Sequence, residues 1–221
     1  MSRRRGYRLH LIVAAVMTFG CATANVQVEK IRAQAAYERG LSYLNDKQPV
    51  PALVAFREAV TVNPTEPRYR DSLGLLLLDL GQIPQALAEL KKALELDPRF
   101  ADGYFHLGVA LAESRSWEDA VKSYHTAIGL PTLTVPDLVH SSLGMALYNL
   151  KRYREAETAL RYAISLNPEL QAAYYHLGLV LVGEDRKTEA KAVFREARKL
   201  GPDSPFGRAA ADQLKDLGDG S

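Results

Sequence analysis

Histidines, acidic residues and a single cysteine are the side chains in this 221-residue chain that could take part in catalysis or bind a metal. A zinc site needs three or four such ligands about 2 Å from one ion. The five histidines are spread along the chain, at His10, His106, His125, His140 and His176. Acidic pairs such as Glu155 and Glu157 are typical of the solvated first turn of a helix. The sequence therefore predicts no enzyme, no metal and no cofactor.

The N-terminal segment has the composition of an export signal. Arginines within residues 3–8 are followed by an uninterrupted apolar run, Leu11–Met17. A membrane-spanning helix needs about 20 apolar residues, so this run is too short to span a bilayer and favours a secretory signal. Without residues 1–20 the chain has 24 basic residues (28 minus 4) against 26 acidic ones. We expect no nucleic-acid partner, because phosphate contacts need clustered positive charge.

Cys21 is the only cysteine, and it follows the apolar segment directly, behind Gly20. The arrangement resembles the lipobox of bacterial lipoproteins, although Thr18 and Phe19 replace the usual aliphatic and small residues. The resemblance implies that Cys21 is acylated and becomes the mature N-terminus. Because Ala22 rather than an aspartate follows it, the same resemblance implies a lipid anchor on the periplasmic face of the outer membrane. The alternative is cleavage after Ala24, which would remove Cys21.

A glycine recurs through the rest of the chain at intervals of 34, 34, 36 and 34 residues. An alanine follows each glycine after twelve residues, a large apolar residue comes four further on, and a second alanine three beyond that. The glycines are Gly40, Gly74, Gly108, Gly144 and Gly178, and the large residues are Phe56, Leu90, Tyr124, Leu160 and Phe194. Prolines close four of the five units, at Pro64, Pro98, Pro168 and Pro202.

This pattern resembles the tetratricopeptide repeat (TPR) family over residues 33–204. The resemblance implies an all-α solenoid of about five antiparallel helix pairs. The small residues allow close approach of the two helices, the large residue fills the space between them, and the proline ends the second helix. Residues 205–218 predict a C-terminal capping helix, which an open-ended solenoid needs.

The sequence thus divides into a signal peptide, a tether and a TPR domain. The predicted ranges are 1–20 for the signal, 21–32 for the lipidated tether, 33–66, 67–100, 101–136, 137–170 and 171–204 for the repeats, and 205–218 for the cap. The third interval is two residues longer than the others, and Pro131–Pro136 disfavours helix there. We interpret this insertion either as a tolerated loop or as a kink that reshapes the binding groove.

In TPR folds the first helix of each repeat lines a concave surface that binds partners. Counting from the glycines, the predicted partner-binding groove contains Tyr37, Leu41, Asn45, Leu75, Phe105, Val109, Met145, Asn149, Tyr175 and Leu179. The same register adds Asp71 and Ser141, and it places His106 and His176 at the surface or in the groove. An alternative for any of these residues is packing between repeats. The mainly apolar composition favours a peptide or an amphipathic helix as ligand.

A lipoprotein signal, a tether, five repeats and a cap together resemble the type IV pilus biogenesis lipoproteins, the PilF/PilW/Tgl pilotin family. The resemblance implies a protein partner among pilus assembly proteins, in particular a secretin subunit whose assembly or localisation the chain would assist. The residues that match are general TPR positions. A periplasmic scaffold for cell-wall enzymes or envelope assembly factors is the alternative, and a homo-oligomeric structural role is a third possibility.

Overall fold

A computed structural model describes the backbone of residues 5–219 and the side chains of residues 25–219. Within that range helices are the only regular secondary structure, which confirms the predicted all-α TPR superhelix. The helices are α1 (Arg5–Asn45), α2 (Pro49–Val62), α3 (Pro67–Asp79), α4 (Ile83–Leu96), α5 (Ala101–Glu113), α6 (Trp117–Ile128), α7 (Pro136–Asn149), α8 (Tyr153–Leu166), α9 (Gln171–Gly183), α10 (Lys187–Leu200) and α11 (Pro205–Asp216).

Each repeating glycine lies directly against the large apolar residue of its own repeat. A Cβ atom built on Gly74 would stand 2.7 Å from Cγ of Leu90, and one on Gly108 would overlap the ring of Tyr124. The large residue is at most 1% exposed in every repeat, and the repeating alanines are fully buried. The predicted roles are confirmed: the glycine admits the bulky side chain of the second helix into the helix–helix contact.

The turn between the two helices of every repeat contains one residue with a left-handed backbone. These residues are Lys47, Gly81, Arg115, Lys151 and Asp185, with φ between 56° and 71°. Left-handed geometry lets the chain leave the first helix and satisfy its last carbonyl groups, as when the amide of Arg152 donates to the carbonyl of Leu147 at 2.9 Å. The turn holds the two helices of a repeat antiparallel.

The array curves towards its first helices. Backbones of α3, α5, α7 and α9 approach one another from repeat to repeat, whereas the second helices α4, α6, α8 and α10 are further apart. The face formed by α1, α3, α5, α7 and α9 is therefore concave, and the second helices form the outer face. This curvature decides which side chains of a helix can meet a partner in the concave groove.

The C-terminal cap is present as helix α11, as the residue pattern predicted. Ala210 and Leu214 of α11 are at most 1% exposed against repeat five, while Arg208 and Asp212 face solvent. Ser204 caps the helix: its hydroxyl accepts from the amide of Gly207 at 2.9 Å and donates to Oε1 of Gln171 at 2.7 Å. The cap is thereby joined to helix α9 by side-chain hydrogen bonds as well as by apolar packing.

The inserted segment between repeats three and four forms a loop tied to repeat three. The hydroxyl of Thr132 donates to the carbonyl of Arg99 at 2.9 Å. The amide and hydroxyl of Thr134 donate to the carboxylate of Asp102 at 3.1 and 2.9 Å. These bonds hold the loop over the start of α5, and α6 ends at Ile128, two residues earlier relative to its repeat than the other second helices.

Helix α1 extends through the segment predicted as a tether. Residues 25–32 are helical and exposed, and Val26, Val28 and Ile31 are 51–63% exposed. The predicted signal peptide and Cys21 fall where side chains lie outside the described residues, so they stay predictions. Within the described part of the chain, no helix combines the length and the apolar content needed to cross a bilayer.

Candidate functional site

The ten predicted groove residues lie along the first helices, and the structure leaves all of them at least partly exposed. Leu41 is 44% exposed, and Asn45 and Asn149 also face solvent. The other seven are half-buried: Tyr37, Leu75, Phe105, Val109, Met145, Tyr175 and Leu179. A strip of partly exposed apolar and aromatic side chains therefore runs the length of the concave face.

Three aromatic residues of this strip also pack on the repeat core. The ring of Tyr37 lies 5.6 Å from that of Phe56, and Tyr175 lies 5.9 Å from Phe194. Phe105 lies 6.1 Å from the ring of the core tyrosine in its repeat. Tyr37 also lies 4.9 Å from the ring of Tyr69, and Tyr175 lies 5.7 Å from that of Phe206, so these rings are fixed by several neighbours while each residue stays partly exposed. Such fixed aromatic surfaces bind with little loss of side-chain entropy.

Met145 and Asn149 share a depression where repeats three and four meet. Its other walls are Glu113 at the end of α5, Arg115 in the turn that follows, and the indole of Trp117. The site combines an apolar floor with one acidic, one basic and one amide group. These groups could orient a peptide backbone while the thioether of Met145 adapts to an apolar side chain.

Asp71 and Ser141 were predicted in the groove, and this prediction is wrong. Each is only 5% exposed. Oδ1 of Asp71 lies 2.8 Å from Nδ1 of His106, within hydrogen-bond distance. This contact crosses the boundary between repeats two and three. The side chain of Asp71 thus points between the first helices of repeats two and three rather than into the groove, and Ser141 is equally buried. The alternative considered for any groove position, packing between repeats, applies to these two.

His176 was also predicted at the surface or in the groove, and the structure leaves this residue only partly exposed. Its imidazole packs against helix α11, 5.6 Å from the ring of Phe206 in an edge-on arrangement. Its Nδ1 has no hydrogen-bond partner among the described residues. Burial lowers the pKa of His176 from 6.5 to about 4 because the charged imidazolium would be poorly solvated. The capping helix, which sequence register alone does not position, causes this burial.

Pairs of polar residues that join successive repeats were missed in the sequence. The hydroxyl groups of Tyr37 and Ser72 lie 3.2 Å apart, in the same relative positions as Asp71 and His106. Both pairs are separated by 35 residues. A search for complementary polar residues 35 positions apart, one more than the 34-residue repeat, could have found them. They fix the offset between neighbouring first helices and so shape the groove.

Among the described residues, no group of three or more histidine, cysteine, aspartate or glutamate side chains is arranged to hold a metal ion. The largest ionic cluster joins α8 to α10: Arg186 contacts Glu157 at 2.6 Å, Glu184 at 2.8 Å and Glu189 at 2.7 Å. Hydrogen bonds from Arg186 lower the pKa values of Glu157 and Glu189. Mutually satisfied charges of this kind hold adjacent repeats together.

Family models described as TPR repeat and tetratricopeptide repeat match residues 74–114 and 142–205. Among curated proteins, the chain is 33% identical over 147 residues to the type IV pilus assembly protein PilF of Pseudomonas aeruginosa. This match covers 66% of the chain and 56% of PilF. The chain therefore spans little more than half the length of this relative.

Solved structures share the same superhelix. PilW, a widely conserved type IV pilus biogenesis factor, superposes with a TM-score of 0.78 at 17% identity, covering 88% of each chain. The structure of Pseudomonas aeruginosa PilF gives 0.69 at 22% identity, over 87% of this chain and 95% of that one. MamA gives 0.65 at 24% identity, over 76% and 91%. These three likenesses show the fold.

Proposed function

We propose that this chain, which contains TPR repeats and resembles the pilus biogenesis proteins PilF and PilW, is an outer-membrane lipoprotein that assists type IV pilus biogenesis. Its task is to bind a subunit of the secretin and promote its assembly or localisation. The identity to PilF is the observation that carries the assignment to pilus assembly. The TPR scaffold is a protein-interaction fold, and the concave face supplies a surface for such an interaction.

The groove suits an amphipathic helix or extended segment with apolar anchors. Leu41, Met145 and Leu179 offer apolar surface at intervals along it, and Phe105 and Tyr175 add fixed rings in repeats three and five. Burial of such side chains contributes about 25 cal/mol for each Å² of apolar surface removed from water. Asn149 and its neighbours at the repeat three–four depression supply the polar contacts that set the orientation of the bound segment.

Lipidation of Cys21 would hold this groove near the membrane. One acyl chain gives only marginal attachment, whereas several chains on one residue give stable anchoring. From residue 21 to residue 33 the chain is helical, a length of about 18 Å at 1.5 Å per residue. The anchored groove would raise the concentration of captured secretin subunits at the outer membrane, which favours ring formation.

Affinity purification from solubilised envelope tests the proposed partner. The tagged full-length chain is compared with a variant carrying Leu41→Glu and Met145→Glu, and with the matched control Val54→Glu, since Val54 is 64% exposed on α2 outside the groove. We expect mass spectrometry to find a secretin subunit with the native chain and the control, but not with the double variant. Equal recovery with all three chains would rule out the groove, and recovery of cell-wall enzymes instead would favour the scaffold alternative.

Metabolic labelling with an alkyne fatty acid tests the anchor separately. We expect the native chain to be labelled and to fractionate with the outer membrane, and Cys21→Ser to lose both properties. An unlabelled mature chain beginning at Asn25 would show that ordinary signal cleavage removes Cys21. Deletion of the gene should also abolish secretin multimers while monomers persist and cell shape is kept.

A further inference from the structure

The outer face of the solenoid contains an apolar cleft between repeats three and four. Its floor is formed by Leu143 and Leu147 of α7, and its walls by Ile128 of α6 and by Ala159 and Tyr162 of α8. The cleft has a volume of about 640 Å³, within the range of about 300–1,000 Å³ usual for ligand pockets. It opens between two second helices, away from the concave groove.

Helix α7 separates the cleft from the groove. Leu143 lines the cleft and Met145 lines the groove, and residues two apart on an α-helix point about 200° away from each other. A ligand in the cleft would therefore meet none of the side chains assigned to the pilus partner. The two surfaces can be tested independently by substitutions on either side of α7.

Repeat two closes the equivalent space with an ion pair. Arg70 and Glu89 occupy the places of His140 and Ala159, and Nη1 of Arg70 lies 2.8 Å from Oε2 of Glu89. Both side chains are less than 20% exposed, so they fill the space between the helices. In repeat four the shorter side chains of His140 and Ala159 leave that space open. The space that is open between repeats three and four is thus filled between repeats one and two.

The outer wall of the cleft departs from the other repeats as well. Tyr162 is 51% exposed, and the corresponding residues of the other repeats are polar. Those residues are Glu58, Lys92, Thr126 and Glu196. The ring of Tyr162 is held edge-on by His140 at 4.5 Å between ring centres. An exposed tyrosine with a fixed ring is a side chain enriched at protein interfaces.

The early end of helix α6, just before the inserted loop, lies at the edge of the opening. Helix α6 has 12 residues, whereas α2, α4, α8 and α10 have 14 each. Gly129 and Pro131 stop α6 directly after Ile128, which lines the cleft, so the last half-turn that would continue this wall is missing. The alternatives left open for the insertion were a tolerated loop and a kink that reshapes the binding groove. Its position beside the cleft concerns the outer face instead of the groove.

The rim of the cleft carries one cation, Arg154, and one carboxylate, Glu155. Among the described residues, no carboxylate lies within ion-pair distance of the guanidinium of Arg154, which faces solvent. The carboxylate of Glu155 is already paired, because it accepts from Nε and Nη2 of Arg152 at 2.7 and 2.6 Å. His125 and His140 add two imidazole groups that can donate hydrogen bonds. A carboxylate brought to this rim would therefore find an uncommitted cation.

We infer that this cleft is a second protein-binding site, which takes a peptide segment bearing an aromatic or branched apolar side chain beside a carboxylate. The apolar side chain enters between Ile128 and Tyr162, over Leu143. The adjacent carboxylate, from aspartate, glutamate or a chain terminus, pairs with Arg154 at the rim. The site combines apolar burial for affinity with charge complementarity for orientation.

Selection of displayed random heptapeptides on the full-length chain tests this inference. The first variant, His140→Arg with Ala159→Glu, transfers the ion pair of repeat two and fills the cleft without adding an unpaired charge. The second, Arg154→Glu, changes only an exposed rim residue and keeps the cleft open. Thermal unfolding of both variants verifies that they are folded before binding is compared.

We expect peptides selected on the native chain to share an apolar anchor with an acidic neighbour. Filling the cleft should weaken their binding at least about tenfold, as loss of a buried apolar side chain does. Arg154→Glu should weaken it roughly fivefold and select basic neighbours instead. Binding that is equal for native and filled chains, or an anchor without charge preference, would overturn the inference.

The same variants test whether a second copy of the chain, instead of a peptide from another protein, occupies the cleft. If sedimentation at two concentrations shows a dimer that the filled variant abolishes, the cleft is a self-association surface and the inference is wrong. Secretin recovery by the filled variant should equal that of the native chain. Failure of the outer-face site would therefore leave the concave-groove proposal untouched, and the reverse also holds.

Discussion

The two ends of the solenoid differ in how their cores are built. From Ala112 to Leu214 the buried residues of repeats three to five and the cap form one continuous cluster. The first two repeats contain two smaller clusters, one around Phe56 and Leu77 and one around Ala36 and Tyr69. In a solenoid each repeat is stabilised mainly by its neighbours. The continuity of the C-terminal core therefore predicts greater cooperativity at that end.

The two ends of the solenoid also differ in how much apolar surface they leave exposed. Helix α11 covers repeat five, whereas α2 presents Val50 and Val54 to solvent at 66% and 64% exposure. The residues of repeat four that correspond to these valines are Arg154 and Thr158. They line one side of the outer-face cleft, and helix α6 of the preceding repeat lines the opposite side. Val50 and Val54 thus occupy the side of α2 where a preceding repeat would lie. Helix α11 closes one end, whereas no described side chain covers Val50 and Val54 at the other.

The largest expected effect compares Phe194→Ala with Phe56→Ala. Both rings are fully buried against a glycine, so each loss should cost about 3–5 kcal/mol locally. We expect Phe194→Ala to lower the melting temperature of the whole C-terminal core. Phe56→Ala should unfold repeat one while repeats four and five keep their hydrogen-exchange protection. Equal loss of protection in repeats four and five would show that the two ends form a single cooperative unit.

Acidification should destabilise the capped end through His176. Its folded pKa of about 4 lies below the ordinary value of 6.5, so between these pH values the unfolded chain binds a proton that the folded chain does not. The contribution of His176 to the free energy of unfolding is fully present above pH 6.5. It falls as the pH drops towards 4, by roughly 3 kcal/mol in total. Denaturant unfolding across this range should show a shallower loss for His176→Gln. Parallel curves for the two chains would contradict the prediction.

Removal of the helix cap should have a smaller effect at the same end. Ser204→Ala deletes the bonds to the amide of Gly207 and to Gln171, and loss of an N-cap costs about 1 kcal/mol. We expect faster amide exchange in α11 and in the adjacent part of α9, with repeats one and two unchanged. Ser204→Asp restores an acceptor at this position and serves as the control. If Ser204→Ala left exchange in α11 unaltered, apolar packing alone would hold the cap.

The smallest expected effect lies at the open end. Val54→Lys replaces a side chain that is 64% exposed, and changes at such positions usually alter stability by less than about 0.5 kcal/mol. The melting temperature should therefore stay close to that of the native chain. A marked loss of stability would show that another part of the chain covers α2 and that the N-terminal end is not open. Leu214→Lys, at the buried face of the cap, is the contrasting variant.

Much of the fold followed from local repetition. The contact between Gly108 and Tyr124 was predictable because both recur at the same spacing in five units, and each unit forms the same helix pair. Pro205 and the alanines after it predicted the capping helix in the same way. Left-handed turns at Lys47 and Arg115 were not predictable from residue type, because neither is the glycine or asparagine usual at that position.

Exposure of individual side chains depended on neighbours that the repeat register does not describe. Asp71 and Tyr37 occupy the same position in consecutive repeats, yet only the tyrosine remains partly in the groove, because His106 draws the carboxylate between helices. His106 and His176 are likewise equivalent, and only His176 lies beneath α11.

The sequence by itself determined the repeat, its register and the close contact inside each helix pair, because these depend on residues within one unit. The tertiary structure decided which polar groups are buried and where the outer face opens. His140 and Ala159 line a cleft whose walls come from α6, which ends at Ile128, and from α8 in the next repeat. Such a feature depends on the distance between units, which is set by packing and by the inserted loop together.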